Sequence, residues 1–162
     1  MTSPLNAELR QAVPFHSLEE EVYLSVLRTA ESIRREVSAL LKPHELTASQ
    51  YNVLRILRGA GTDGQLTGEI GERLVVRDPD VPRLLDRMEK RGLVHRQRQS
   101  DDRRCVRVTL TKTGRTLVDR LDQPVQALHL TQFRGASRTA LRAMLDTMSS
   151  TRARAAKRED AG

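Results

Sequence analysis

The chain contains very little cysteine and few aromatic residues. Its 162 residues include one cysteine, no tryptophan, two tyrosines and two phenylalanines. A single cysteine excludes an internal disulfide and a zinc site built from several thiolates. So few rings leave no platforms for stacking single-stranded nucleic acid, and they argue against an aromatic-rich β-sandwich. The core must be built from Leu, Val, Ile and Ala, a composition that favours helices.

Long apolar runs are also missing. No stretch approaches the roughly 18 apolar residues that a membrane-spanning helix needs. Residues Met1 to Val13 are polar and mixed, without the apolar core of a secretory signal peptide. These features predict a cytoplasmic protein that has no membrane partner.

Residues suited to catalysis or metal binding do not form a recognisable pattern. The histidines at 16, 44, 95 and 129 share no metal-ligand spacing and have no cysteine partners. The sequence has no glycine-rich phosphate loop, nucleophile elbow or usefully spaced acid pair. Cys105 is interpreted as a small apolar filler within a strand. The sequence therefore predicts that the protein is not an enzyme and binds no metal or cofactor.

Positive charge is concentrated in one segment of the chain. Residues 83–115 hold eleven Arg and Lys against four Asp and Glu, an excess of seven that equals the formal net charge of the whole chain, +7. A local patch indicates a polyanionic partner more strongly than a diffuse surplus would. The alternative is a solvated charged face with no partner.

Apolar residues recur at helical spacing over most of the remaining chain. Ser17 and Thr47 each open a capping-box sequence, and Asp78 followed by Pro79 resembles an N-cap with a first-turn proline. Predicted helices begin near Ser17, Thr47, Thr67, Asp78, Thr111 and Ser137, and they end near Leu41, Gly59, Val75, Gly92, Thr131 and Arg154.

Two segments of alternating polarity, residues 93–98 and 105–110, lie between the fourth and fifth predicted helices. Residues 99–104 form the turn between them, which predicts a β-hairpin. Three consecutive helices followed by a basic hairpin are typical of a winged helix-turn-helix. The predicted fold class is mostly α with a small β-hairpin (α+β), a winged helix-turn-helix with a helical dimerisation region.

The predicted domains follow from these elements. Residues 1–16 form a flexible N-terminal arm, 17–45 and 115–155 a helical dimerisation region, 46–114 the winged helix-turn-helix, and 156–162 a flexible tail. Tyr23, Leu24 and Leu27 widen the apolar surface of the first long helix beyond one stripe, which suggests a second partner for it. Four side chains of the last helix are expected to face inward: Leu141, Met144, Leu145 and Met148.

The sequence resembles the MarR family of bacterial transcription regulators over about residues 46–121. The residues that carry the resemblance are Leu46-Thr47, Gln50-Tyr51, Leu54, Leu66-Thr67, Leu74, the run from Arg83 to Val94, Asp102-Arg103-Arg104, and Val108, Leu110, Thr111 and Gly114. The resemblance implies a homodimer that binds double-stranded DNA at a pseudo-palindromic operator, with half-sites about 10 bp apart. It also implies a repressor that a small phenolic or anionic ligand, or an oxidant, releases from DNA. Such a protein would be bacterial, cytoplasmic and associated with the nucleoid when bound.

The resemblance assigns candidate DNA-binding residues to the wing and to the helix directly before it, the recognition helix. Arg83 matches a basic position of the recognition helix, and Arg87 lies one turn further along the same helix. Asp102 and Arg104 match the Asp-x-Arg of the family's wing, where the carboxylate pins the hairpin and an arginine enters the narrow groove. Arg103 is the other candidate for that insertion. The alternative is an ion pair between Asp102 and Arg104 that only stabilises the hairpin.

The segment before the recognition helix departs from the family pattern. Where small hydroxyl residues are common, this chain reads Arg77-Asp78-Pro79-Asp80-Val81-Pro82. Arg77 is a candidate phosphate contact, and Asp80 could accept a hydrogen bond from a cytosine amino group. Asp78 is expected to be the N-cap. The departure leaves operator preference open.

The resemblance suggests His16, His44 and Tyr51 as candidate residues for an effector pocket, because His44 lies between the first two predicted helices, close to where such regulators bind effectors. Two other functions remain open. The protein could be a non-specific architectural DNA-binding protein, or an interaction module in which residues 78–82 have abolished DNA binding.

Overall fold

The structure, a computed structural model, describes residues 4–98 and 105–160. Over these residues the chain forms seven α-helices and a three-stranded antiparallel sheet with strand order β1-β3-β2. The elements are α1 (Pro4–Leu9), α2 (Leu18–Leu41), a 3₁₀ turn (Lys42–His44), α3 (Ala48–Gly59), β1 (Gln65–Leu66), α4 (Thr67–Arg73), α5 (Val81–Lys90), β2 (Val94–Arg98), β3 (Val106–Leu110), α6 (Lys112–Gln132) and α7 (Arg138–Glu159). The predicted fold class, mostly α with a small antiparallel β element, is confirmed.

Within the described residues, helix extends into both ends of the chain that the sequence predicts to be flexible. At the N-terminal end, Pro4 opens α1, where its missing N–H is not needed. Leu5 and Asn6 of α1 are buried, and the side-chain amide of Asn6 donates to the carbonyl of Val13 at 3.1 Å. At the other end α7 continues to Glu159, since residues 155–159 include no glycine or proline to stop it.

Side-chain caps fix the starts of α2 and α3 where the sequence predicted them. Ser17 accepts from the amide of Glu20 at 3.1 Å, and Thr47 forms a complete capping box with Gln50. Helix α4 begins at Thr67, the residue that the sequence predicts, but the side chain of Thr67 does not cap it. Leu66 is the N-cap position, and the hydroxyl of Thr67 instead donates to the carbonyl of Val106 at 3.1 Å. The side chain of Thr67 therefore ties α4 to β3.

After α5 the chain reverses its direction and continues as a strand beside the helix. Gly92 has φ of +66°, its amide donates to Glu89, and the amide of Leu93 donates to Met88. This is a Schellman motif, which closes the last carbonyls of a helix and favours glycine at the left-handed position. The chain then enters β2, which pairs antiparallel with β3 so that Arg96 lies opposite Val108.

Two glycines allow close packing around the sheet. A Cβ on Gly64 would lie 2.2 Å from the carbonyl oxygen of Val108, and Gly64 also has a positive φ of +64°. A Cβ on Gly114 would lie 2.0 Å from the carbonyl oxygen of Leu93. Thr111 caps α6 by accepting from the amide of Gly114 at 3.0 Å, and it donates to Gly92 at 2.6 Å. The Thr-x-x-Gly spacing thus seats α6 on the start of β2.

The hydrophobic core joins the helices to the sheet. Its fully buried side chains come from α2 to α6, β2 and β3, and they include Leu41, Leu54, Leu57, Ile70, Leu84, Leu85, Met88, Val94, Val108, Val118 and Leu121. The chain divides into two compact units, Met1–Gln126 and Ala127–Gly162. The core lies in the first unit.

Several apolar side chains remain exposed on the long helices of the single chain. On α2 they are Leu18, Val22, Tyr23, Val26 and Leu27. The predicted inward face of α7 is not buried in the single chain, because Met144 and Leu145 are exposed and Leu141 and Met148 are only half-buried. None of the helices described is long and apolar enough to cross a lipid bilayer.

Candidate nucleic-acid interface

Helix α5 presents a basic face to solvent and an apolar face to the core. Leu84, Leu85 and Met88 are buried, whereas Arg83 and Arg87 are exposed one turn apart. Among the residues that the structure describes, neither guanidinium has a hydrogen bond or ion pair. Both arginines are therefore available to a polyanion.

The start of α5 corrects the predicted N-cap. Asp80, and not Asp78, caps the helix by accepting from the amide of Arg83 at 3.1 Å, and Asp78 accepts from the amide of Asp80 at 2.9 Å. The reason is the position of Pro82 relative to the cap. If Asp78 were the cap, Pro82 would stand at the first position whose N–H bonds within the helix, and it has none. With Asp80 as cap, Pro82 occupies a position whose N–H would be unsatisfied anyway.

The capping bond occupies part of the Asp80 carboxylate, the candidate base contact. One oxygen of its carboxylate is engaged by the helix, although the residue remains exposed. Arg77 is exposed nearby, and with Asp78, Glu72 and two glycines of α4 it lines an open surface depression. Arg77 and Asp80 therefore both lie at the surface, and in the sequence both stand shortly before α5.

The tip of the wing lies outside the described residues. Asp102, Arg103 and Arg104 all belong to this part, so their predicted roles stay predictions. The two strands that carry the tip are described, and the last residue of β2, Arg98, is exposed. The wing base is thus fixed by the sheet next to α5.

Three other arginines of the basic segment bind within the protein, which sequence reasoning missed. Arg91 donates to the carbonyls of His44 (3.1 Å) and Glu45, and Arg107 donates to the carbonyl of Asp63 at 3.0 Å. Arg96 is bound to Asp86 of α5. In the part of the patch that the structure describes, some arginines therefore hold the fold, and others have no partner within it.

The three candidate effector residues are not joined by a described contact. His16 is exposed, and its backbone amide donates to Glu20 at 2.7 Å. His44 is half-buried, and Tyr51 is buried in the core with 6% of its surface exposed. Burial raises the pKa of the Tyr51 hydroxyl above its ordinary value, partly offset by Arg55. Within the described residues no hydrogen bond links the three side chains.

An ion-pair cluster connects α3 to α6 in the first unit. Arg58 donates to Asp119 at 3.2 Å and to Asp122 at 2.8 Å, and the two carboxylates lie one helical turn apart. The hydrogen bond from Arg58 lowers the pKa of Asp122, and the same bond raises the pKa of Arg58. The cluster holds the end of α3 against α6.

The structure combines three packed helices, α3 to α5, with a wing-like antiparallel sheet and exposed arginines on α5. This combination defines the winged-helix class of DNA-binding transcription regulators. Comparison with known proteins identifies the family. A profile of the MarR family matches residues 46–106. The transcriptional regulator TtmR of Methylorubrum extorquens is 35% identical over 137 residues, covering 84% of this chain and 68% of that protein. The chain belongs to the MarR family.

Other relatives are consistent with this assignment. The homoprotocatechuate degradative operon repressor of Escherichia coli is 27% identical over 109 residues, which cover 67% of this chain and 72% of the repressor. The crystal structure of a MarR transcription factor from Planctomyces limnophilus superposes with a TM-score of 0.66 at 37% identity, covering 83% of this chain and 98% of that one. These relatives are named as regulators and not as enzymes, in agreement with the sequence-based prediction.

Proposed function

We propose that the protein is a homodimeric repressor that binds a pseudo-palindromic operator in double-stranded DNA. The observation that carries the proposal is the exposed pair Arg83 and Arg87 on α5, whose opposite face is locked into the core. Such a helix can enter a major groove with its arginines toward phosphates and guanines. The E. coli relative is named as an operon repressor, which supports repression rather than activation.

The second copy is proposed to cover the exposed apolar residues of the long helices. Leu18, Val22 and Val26 follow one another at four-residue spacing on α2, and Leu145 of α7 keeps 65% of its surface exposed. Exposed apolar faces of this kind mark interaction surfaces. A two-fold dimer would also match the symmetry of a palindromic operator.

A small phenolic or anionic effector is proposed to weaken DNA binding. Its candidate contacts remain His16, His44 and Tyr51. Isothermal titration with salicylate as the probe would give a binding curve, and the same ligand should lower affinity for DNA. Substituting His44→Ala should weaken salicylate binding while leaving DNA binding in its absence unchanged.

The test of DNA recognition is a nuclease protection assay on the DNA upstream of the gene. We expect a protected palindrome and an affinity at least about 10³ times that for random duplex. Equal affinity for both would favour the architectural DNA-binding protein instead. A folded dimer with no duplex affinity even at low salt would favour the interaction module.

The wing contribution is tested with the double substitution Arg103→Ala/Arg104→Ala. Affinity should fall, and the dependence of log K on log salt should flatten by about 0.9 for each phosphate that the variant no longer neutralises. Arg120→Ala is the control, since it removes the charge of an exposed arginine on α6, outside the hairpin sequence. Unchanged affinity in the double variant would exclude a role of the wing arginines in binding.

A further inference from the structure

Arg96 joins the wing to the recognition helix. It is the third residue of β2, and the Schellman turn at Gly92 returns this strand along α5. The Nη1 of Arg96 donates to the carboxylate of Asp86, and its backbone amide donates to the carboxylate of Glu89 at 2.9 Å. Both carboxylates of α5 are therefore engaged by one residue of the wing strand.

The side chain of Arg96 is enclosed rather than offered to a ligand. It keeps only 20% of its surface exposed, whereas Asp86 keeps 54%. Its Nε is buried and has no hydrogen-bond partner among the described residues. A guanidinium held in this way is in a poor position to contact a phosphate, so its charge acts on Asp86.

The pair changes the charge that α5 presents. The helix carries Asp86 and Glu89 between and beyond its free arginines, Arg83 and Arg87. Left alone, those carboxylates would repel the phosphates that the arginines attract. Because Asp86 is paired with Arg96 and Glu89 accepts from the Arg96 amide, the charged side chains of α5 that have no partner among the described residues are basic.

We propose that Arg96 is a positioning residue for DNA binding, which fixes the wing strand on α5 and neutralises Asp86 without touching DNA. This inference rests on the proposed DNA-binding function. Removing the Arg96 side chain should weaken binding in two ways, because the wing is no longer held in a fixed direction and Asp86 regains an uncompensated charge beside the groove.

The experiment compares Arg96→Gln, Asp86→Arg and the charge-swapped double variant Asp86→Arg/Arg96→Asp. The probe is the duplex that the wild-type protein selects from a random-sequence pool, and affinity is measured well below the unfolding temperature of each variant. Arg96→Gln should lower the affinity about tenfold, a coupling common for residues in direct contact. The double variant should recover most of this affinity, because the pair is restored in the opposite orientation.

Each other outcome decides against the proposal. If Arg96 contacted phosphate, the double variant would bind worse than Arg96→Gln, since it places a carboxylate near the duplex. If the pair were only structural, Arg96→Gln would lower the free energy of unfolding and leave the affinity of the folded protein unchanged.

Arg107→Gln is the control, because it removes one wing-strand arginine and leaves the Asp86 pair intact. It should change affinity less than Arg96→Gln does. Wild-type protein that binds no duplex would overturn the proposed function, whereas wild-type binding with an unaffected Arg96→Gln variant would overturn this inference alone.

Discussion

At the scale of single residues, the start of α5 shows how one side chain sets a boundary. Asp80 accepts from the amide of Arg83, and the amide of Leu84 donates to the carbonyl of Asp80 at 3.0 Å, the first bond of the helix. Asp78 supports Asp80 rather than the helix. The two carboxylates therefore differ in energetic role although they stand two residues apart.

Substituting Asp80→Ala should lower the free energy of unfolding by about 1 kcal/mol, the usual cost of removing an N-cap. Asp80→Asn should cost much less, because an amide oxygen caps equally well. Urea denaturation of both variants measures the difference. A larger effect for Asp78→Ala than for Asp80→Ala would restore Asp78 as the cap.

Gly114 is a second residue whose identity is set by contact. We expect Gly114→Ala to lower the free energy of unfolding by about 1–3 kcal/mol, the range for forced overpacking, because its Cβ would meet the carbonyl of Leu93 at 2.0 Å. Gly68→Ala is the control, since nothing lies within 4 Å of its added Cβ. Thermal unfolding of the two variants should separate them, and equal midpoints would contradict the close approach.

At the scale of elements, ion pairs and hydrogen bonds between distant segments orient the helices and strands. Arg91 ties the end of α5 to the turn before α3, Arg96 ties β2 to α5, and Arg58 ties α3 to α6. Each of these arginines joins segments that the core already brings together. The polar bonds therefore select an arrangement, while burial supplies most of the stability.

The Arg58 cluster predicts an acid dependence of stability. Asp122 has a lowered pKa in the folded protein, so its bond to Arg58 stabilises the fold above the ordinary pKa of an aspartate and disappears as the pH falls through the lowered value. Asp122→Asn should cost at most about 1 kcal/mol at pH 7, since the Asp122 side chain is half-exposed and solvent screens its charge. The difference from wild type should vanish in strong acid, below the lowered pKa.

Denaturant unfolding across this pH range measures the effect. Asp146→Asn is the control, because Asp146 has no hydrogen bond or ion pair among the described residues. A difference between wild type and Asp122→Asn that persists unchanged at low pH would mean that the bond to Arg58 is not its source.

At the scale of the whole molecule, the single chain leaves apolar side chains of α2 and α7 exposed. In the proposed dimer these residues are buried by the second copy. A charged residue at one of these exposed positions should therefore weaken dimer assembly without destabilising the fold of the single chain.

We expect Leu145→Glu to shift the protein from dimer to monomer, measured by analytical ultracentrifugation over a range of concentrations. Ser150→Glu is the control, because helical spacing places it on the opposite side of α7 from Leu145. If dimerisation is needed for palindrome binding, Leu145→Glu should also bind the operator more weakly. A dimeric Leu145→Glu variant would place the interface elsewhere.

The local features of this protein follow from its sequence. Ser17, Thr47 and Gly92 set helix ends through bonds to residues close by in the chain, so their spacing is visible in the sequence itself. The alternation at residues 106–110 marks a strand for the same reason. The concentration of arginine in residues 83–115 also required no structure to find.

Only the tertiary structure decided what each arginine does. Arg83 and Arg87 are free among the described residues, whereas Arg91 and Arg96 bind within the fold, although all four lie in one basic run. The partners of Arg91 are 46 and 47 residues away, and those of Arg58 are 61 and 64 residues away. No spacing rule reaches across such separations, because these bonds exist only after the core has brought the elements together.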